Sequence, residues 1–205
     1  MAITNFGELK TEIANFIDND QITSVIPTFI TLATTRINSE LRIRDMEKRS
    51  VNTLIGQYID LPDDFIELRN IQINSTPRRS LSYRTPEQID FNVAESTGIP
   101  EYYSLYENVI EVYPEPASDY EIEIIYLASL ADFVDDTDAN SILTKYPGLY
   151  LWAALLEAES YIAEDARTAT WAQRYADLIT KLNNTADEGR YSGSRLNSAT
   201  GVYAP

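Results

Sequence analysis

Apolar positions recur at helical spacing toward both ends of this chain and at strand spacing in its middle. Near the start, Phe6, Leu9, Ile13, Phe16 and Ile17 share one face of a 3.6-residue repeat, and Asn5 followed by Glu8 fits a capping box. The polar run Asp18-Asn19-Asp20-Gln21 ends that helix. A second is expected with Ile26, Ile30, Ala33, Ile37 and Leu41 on one stripe and Pro27 in its first turn, where the missing N–H costs nothing. From about Ser50 the period shortens. Segments 50–55, 57–61, 67–73 and 79–83 are short and rich in β-formers. Thr85-Pro86-Glu87-Gln88 then supplies an N-cap, an N1 proline and an N3 glutamine for one helical turn. Strand character resumes at 102–105, 109–113 and 120–127, with Asn108 in a turn and Pro114-Glu115-Pro116 breaking the chain. Ile122 and Ile124 alternate with Glu121 and Glu123, which predicts one buried and one solvated face.

After Asp135-Asp136-Thr137-Asp138 the helical period returns. Residues 149–156 are apolar almost all round, the mark of a helix at the centre of a bundle. Trp171, Tyr175, Leu178 and Leu182 predict a last helix that stops near Gly189. The pattern reads as an α+β chain. An antiparallel helical bundle is built from residues 1–49 and 139–188, a small antiparallel β-module is inserted at 50–138, and 189–205 is an extended C-terminal arm.

Charge sharpens that division. The chain has 16 basic and 32 acidic residues, a net of −16. Residues 60–138 hold four basic and eighteen acidic groups, net −14, while the flanking stretches hold six and seven each, net −1 apiece. Seven of the fourteen tyrosines lie between Tyr83 and Tyr126, and six of the nine prolines between Pro62 and Pro116, so the middle differs in composition as well. So acidic a chain should not wrap the outside of nucleic acid, which needs Lys and Arg in excess.

Cysteine and histidine are both absent. That excludes Cys/His zinc sites, thiol catalysis, serine–histidine triads and c-type haem attachment. The start MAITNFGELKTE has neither a basic nor an apolar leader region, and 149–156 is too short to span a bilayer, so an intracellularly made protein with no membrane association is expected. The stretch from Asp136 opens like a calcium loop, but Ser141 stands where glycine is wanted and Pro147 where a bidentate Glu belongs. Pairs such as Glu121/Glu123 and Glu157/Glu159 are what 32 acids produce by chance. Phosphate loops and nucleophile elbows are missing. No catalytic, cofactor-binding or metal-binding residue is therefore assigned, and the chain reads as a non-enzyme without cofactors.

Two groups of residues stand out as contact candidates. The basic cluster Arg42, Arg44, Lys48 and Arg49 is interleaved with Asp45 and Glu47, which favours intersubunit ion pairing over nucleic-acid binding. The last segment is poor in apolar residues, yet Arg190, Tyr191, Arg195, Leu196, Val202 and Tyr203 recur along it as anchors for docking on a partner or neighbouring subunit. Tyr102, Tyr103 and Tyr106 could form a stacking platform for bases, although strand packing explains them as well.

Residues alone stop at an α+β interaction protein. The order of segments goes further: FGELKTEI (6–13), RINSELRIRDMEK (36–48), YIDLPDDFIELRNI (58–71), YYSLYENVIEVYPEPASDYEIEIIYLASL (102–130) and YPGLYLWAALLEAESYI (146–162). In that order the chain resembles the head-to-tail adaptor proteins of short-tailed bacteriophages related to the tail tubular protein of the T7 group. The resemblance implies a virion protein at the head–tail junction, a homo-oligomeric ring of about twelve copies. Its implied partners are the portal protein above and the tail nozzle below, with DNA passing through without specific binding. With such partners, the composition of the C-terminal arm and its spaced anchors lead us to expect docking on the portal or a neighbour. Two other classes stay open, a virion-associated glycan or peptidoglycan hydrolase and a monomeric host-directed binding module.

Overall fold

The structure is a computed structural model that describes residues 3–17, 22–92, 97–161 and 167–191; for 90–92, 160, 190 and 191 only the backbone is described. In chain order the elements are α1 (Phe6–Ile17), α2 (Ile26–Glu40), β1 (Glu47–Leu54), β2 (Tyr58–Asp60), β3 (Phe65–Ile73), β4 (Arg79–Ser80), β5 (Ser82–Tyr83), α3 (Pro86–Asn92), β6 (Thr97–Gly98), β7 (Tyr102–Tyr106), β8 (Val109–Tyr113), β9 (Glu115–Pro116), β10 (Tyr120–Ala128), α4 (Ser141–Lys145), α5 (Pro147–Glu157) and α6 (Thr168–Tyr191). The fold is mixed α/β and divides into two units, 1–45 with 132–205 and 46–131.

In the helical unit local signals set the helix starts. The Asn5 side chain accepts from the Glu8 N–H at 2.9 Å, and the Glu8 carboxylate accepts from the Thr4 N–H and hydroxyl at 2.7 Å each. The returning bond of the capping box thus lands one residue upstream of the cap. Pro27 occupies the first turn of α2, which buries Ile26, Phe29, Ile30, Ala33 and Ile37. Asn140, part of the calcium-like stretch, is instead the N-cap of α4: it accepts from Leu143 N and donates to the Tyr150 hydroxyl, both at 2.8 Å. Helix α5 buries Leu149, Tyr150, Leu151, Ala153, Ala154 and Leu155 and packs against α1, α2, α4 and α6. Each fully buried leucine there contributes about 1.5–3 kcal/mol.

Helix α6 corrects one boundary. It runs to Tyr191, so Arg190 and Tyr191, read as the start of the arm, have helical backbone. One glycine inside a helix costs only about 1 kcal/mol, and the Arg44 guanidinium holds the Gly189 carbonyl at 2.5 Å. The remaining arm residues, Arg195, Leu196, Val202 and Tyr203, lie outside the described residues.

The β unit contains two four-stranded sheets, ordered β1-β10-β3-β4 and β2-β8-β7-β5, and a small parallel pair, β6 with β9. Strand β10 is central and antiparallel to both neighbours, with Glu47 opposite Leu127 and Ile122 opposite Ile73. Ile71, Ile73, Ile122, Ile124 and Tyr126 of the first sheet share one apolar cluster with Ile59, Ile110 and Val112 of the second. The expected strand 79–83 is broken in two at Leu81. Its buried side chain joins the core and its N–H bonds Ile71 O, whereas the next N–H, of Ser82, bonds Glu101 O. The chain thereby steps from one sheet to the other.

The expected solvated face of β10 needs a correction too. Glu123 is only 3% exposed, because Arg49 Nε (3.3 Å) and Gln72 Nε2 (3.2 Å) close over its carboxylate from the flanking strands. On the second sheet Glu111 is likewise buried, and accepts from the Tyr58 hydroxyl at 3.2 Å. Both carboxylates face away from the apolar cluster and are covered by neighbouring side chains.

The unit boundaries differ from the expected ones on both sides. Residues 132–138 belong with the helices: Phe133 stacks on Phe6 and meets the Tyr150 ring, while Phe6 N and Gly7 N donate to Asp138 O and Asp136 O. Residues 47–49 belong with the strands, in register with 125–127.

Candidate docking surfaces

The six charged residues singled out between Arg42 and Arg49 are all engaged within the chain. In the helical unit the Arg42 guanidinium donates to the carbonyls of Asn38 (2.9 Å) and Leu41 (2.8 Å), finishing the C-terminus of α2, where cations are favoured. Its backbone N–H donates to Asn183 Oδ1 on α6 at 2.9 Å, and Asn183 Nδ2 returns to Glu40 O at 3.0 Å. Asp45 pairs with Lys145 at 2.5 Å, and that hydrogen bond raises the Lys145 ammonium above its usual pKa. In the β unit Glu47 lies 4.0 Å from Arg69, Lys48 meets Asp64 at 2.6 Å, and Arg49 meets Glu123. Asp64 also accepts from the Tyr126 hydroxyl at 2.9 Å. Partial burial pushes the Asp64 carboxyl up, but Lys48 and Tyr126 outweigh it and hold the pKa below the ordinary value.

Arg167, just before α6, and Trp171 and Arg174 on it fall at i, i+4 and i+7. Arg167 sits over the Trp171 ring (5.4 Å) and Arg174 over Trp152 (4.9 Å), which also meets Phe16 edge-on at 5.6 Å. The result is an open groove of about 330 Å³. Composition did not disclose it, although the Arg-x3-Trp-x2-Arg spacing on a helical stretch was legible.

The acidic loop is closed on itself. Asp138 accepts from the backbone of Val134 (2.7 Å) and Asp135 (2.9 Å), bonds that lower its pKa, and Asp136 pairs with Lys10. Among the described residues no three metal-ligating side chains converge. The tyrosine platform is split by the pleat: Tyr103 packs against the apolar cluster and stacks edge-on with Tyr83 at 5.5 Å. Tyr102 and Tyr106 are on the other face of β7.

Charge is shared more evenly than the chain order implied. Residues 46–131 carry six basic and fifteen acidic groups, net −9, and the rest carry ten and seventeen, net −7. The four acids from Asp132 to Asp138 fall in the helical unit and account for much of the change.

The sequence profile of the SU10 adaptor protein family matches residues 4–199, nearly the whole chain. No curated protein matches significantly.

Proposed function

The chain belongs to the SU10 adaptor protein family, structural proteins of bacteriophage, and from that premise we propose that it forms the ring joining the portal to the tail nozzle. The ring is a closed homo-oligomer of about twelve copies. Its lumen is part of the path of the ejected DNA. The observation that carries this reading is the family match over residues 4–199. The family is a structural one, its place is the virion, and no described helix is long and apolar enough to cross a membrane.

In this proposal the helices, arranged as an antiparallel bundle, pack subunit to subunit. The segment containing Arg195, Leu196, Val202 and Tyr203, with Arg190 and Tyr191 at the end of α6, docks on the portal or on a neighbouring subunit. Intersubunit pairing through Arg42, Arg44, Asp45, Glu47, Lys48 and Arg49 is of second rank, since their internal partners compete for the same charges. Arg49, with a side chain 61% exposed, is open to a neighbour. A net charge of −16 lets DNA slide without sticking.

Sedimentation of the purified protein with and without portal tests the reading. A portal-bound ring is expected. A chain that remains monomeric and ignores the portal overturns it, and deletion of 192–205 should abolish attachment while leaving the melting temperature nearly unchanged.

A further inference from the structure

We propose that the β unit is electrostatically polarised from edge to edge, and that the arginine edge of one copy docks against the acidic edge of the next copy of this chain. The arginine edge is the corner where the chain changes sheets. Arg79 lies on β4 and Arg78 just before it, while Arg84 follows β5 and stacks over the Tyr102 ring at 4.9 Å. Arg79, Glu101 and Tyr102 line one open groove of about 510 Å³. All three arginines are exposed, and none forms an ion pair among the described residues. By contrast Lys10, Arg36, Lys48, Arg49, Arg69 and Lys145 each have a carboxylate partner. With Glu101 as the one acid lining the groove, this corner holds an unneutralised positive charge on a unit of net −9.

The complement is on the same unit, at the opposite edge. In the sheet β2-β8-β7-β5, strands β5 and β2 are the two edges. Asp60 ends β2 opposite Val109, Asp63 follows it, and Glu107 is in the β7–β8 turn. The bond from Leu61 N to Asn108 O, 2.9 Å, ties those two loops together. Asp60, Asp63 and Glu107 are exposed and have no ion-pair partner among the described residues. Three strand spacings separate the edges by about 14 Å, and the run from Tyr102 to Tyr106 adds about 13 Å along the strand. Both exceed the screening length of about 8 Å at physiological salt, so the two corners act as separate patches.

A positive edge and a negative edge on one unit make a heterologous, head-to-tail contact, the type that closes rings. The occupant that fits the arginine edge is therefore a second copy, whose acidic corner matches it in charge. Charges that only guard a sheet edge against pairing would be expected on long edge strands, whereas β4 and β5 have two residues each.

This inference rests on the ring reading, whose own test, binding to portal, is scored separately. The experiment is sedimentation velocity of the full chain at low and high salt. Wild type should self-associate, less as salt rises. Arg78→Glu with Arg79→Glu should weaken association about tenfold or more, as should Asp60→Arg with Asp63→Arg, because each sets like charges face to face. The chain carrying all four changes should regain it. These four side chains are exposed, and matching thermal midpoints will confirm that the variants fold. Reversals without effect, failure of the four-fold variant to recover, or a wild type monomeric at both salts would overturn the pairing. So would retention of duplex DNA by wild type that the arginine reversal abolishes, an outcome that assigns the edge to nucleic acid.

Discussion

The two units differ in how their contacts close along the chain. In the β unit the polar contacts span modest separations: Lys48 to Asp64, Tyr58 to Glu111, Gln72 to Glu123, Tyr126 to Asp64. In the helical unit they run from one end of the chain to the other, Lys10 to Asp136, Arg36 to Glu157, Asp45 to Lys145 and Asn183 to Glu40. Joining those segments through an unfolded 86-residue insert would cost about 2–3 kcal/mol more loop entropy than joining them through a few residues. Once folded, the β unit removes that cost. Glu47, at its entry, is paired with Leu127, near its exit, so the entering and leaving strands lie side by side, about 5 Å apart at that pair. The β unit is thus continuous in the chain and closes with short loops, whereas the helical segments gain from its being folded.

Core truncations test that dependence and should have the largest effects. Both tryptophans, Trp152 and Trp171, are in the helical unit, so their fluorescence reports that unit alone. Leu155→Ala, at a position with no exposure, should destabilise by about 2–5 kcal/mol and shift the fluorescence transition. Amide exchange in β3 and β10 should be nearly unaffected. Ile124→Ala, in the strand core, should cost about as much and move both signals. If Leu155→Ala lowered β-strand protection equally, the two units would be a single cooperative block.

Much of this arrangement was legible in the sequence, for identifiable reasons. Caps and stripes are local, so Asn5 with Glu8, Pro27 and the apolar run 149–156 mark helices that the fold retains. Residues 109–113 and 120–127 are rich in β-formers, and 121–124 alternate. What escaped depends on tertiary partners. The break at Leu81 exists because two different sheets accept its flanking residues. The short pair β6 and β9 has no pattern of its own. The unit boundary near Asp132 is set by Phe133 finding Phe6, far away in sequence. Of the candidate contacts, the Arg42–Arg49 cluster was visible as charge, but its partners Asp64, Gly189 and Glu123 were not.

Tyrosine ionisation gives a second, smaller test. Burial first, then the Asp64 carboxylate, pushes the Tyr126 hydroxyl up to about 12; burial pushes Tyr150 up to about 12 as well, against the pull of its hydrogen bonds. A pKa raised on folding means stability that is intact below the unfolded value near 10 and lost as pH climbs toward 12, at most about 2–3 kcal/mol per group. Tyr126→Phe should remove part of the alkaline loss in the β unit and leave the fluorescence-detected loss in place. The acid limb has the opposite sign. Asp64 titrates below its ordinary range, so its contribution is present above about pH 4 and fades below it. Asp64→Asn should flatten that fall most for β-unit amides, with a smaller change in the fluorescence-detected transition. Parallel pH profiles for both units in either variant would count against separate closure.

The interhelical pin should respond more weakly. Arg36 Nη2 meets Glu157 at 2.6 Å, joining α2 to α5, with side chains 40% and 19% exposed. Solvent screening keeps the expected cost of Glu157→Gln to about 1–2 kcal/mol, read by tryptophan fluorescence. Unchanged stability would mean that apolar packing alone holds the two segments together.

The smallest effects should have opposite signs in the two units. Gly56, in the turn between β1 and β2, has φ +76°, a left-handed conformation that costs an L-residue about 1–2 kcal/mol. A Cβ there would meet nothing, so the cost of Gly56→Ala comes from backbone strain, offset by about 0.4–1 kcal/mol from the stiffer unfolded chain. A net loss of about 0.5–1 kcal/mol is expected, seen in β-unit exchange. Gly148 is the second residue of α5, and a Cβ there would lie 3.5 Å from Trp152 Nε1 and 3.7 Å from Leu178 Cδ1, ordinary contact distances. Alanine is the better helix former by about 0.8–1 kcal/mol in a helix interior, and somewhat less in the first turn. Gly148→Ala should therefore raise the fluorescence-detected midpoint and leave β-strand exchange alone. Because the helical segments are joined through the β unit, Gly56→Ala should also lower the fluorescence midpoint slightly. A Gly56→Ala chain whose tryptophan transition stays at the wild-type value would show that the helical segments find each other without help from the strands.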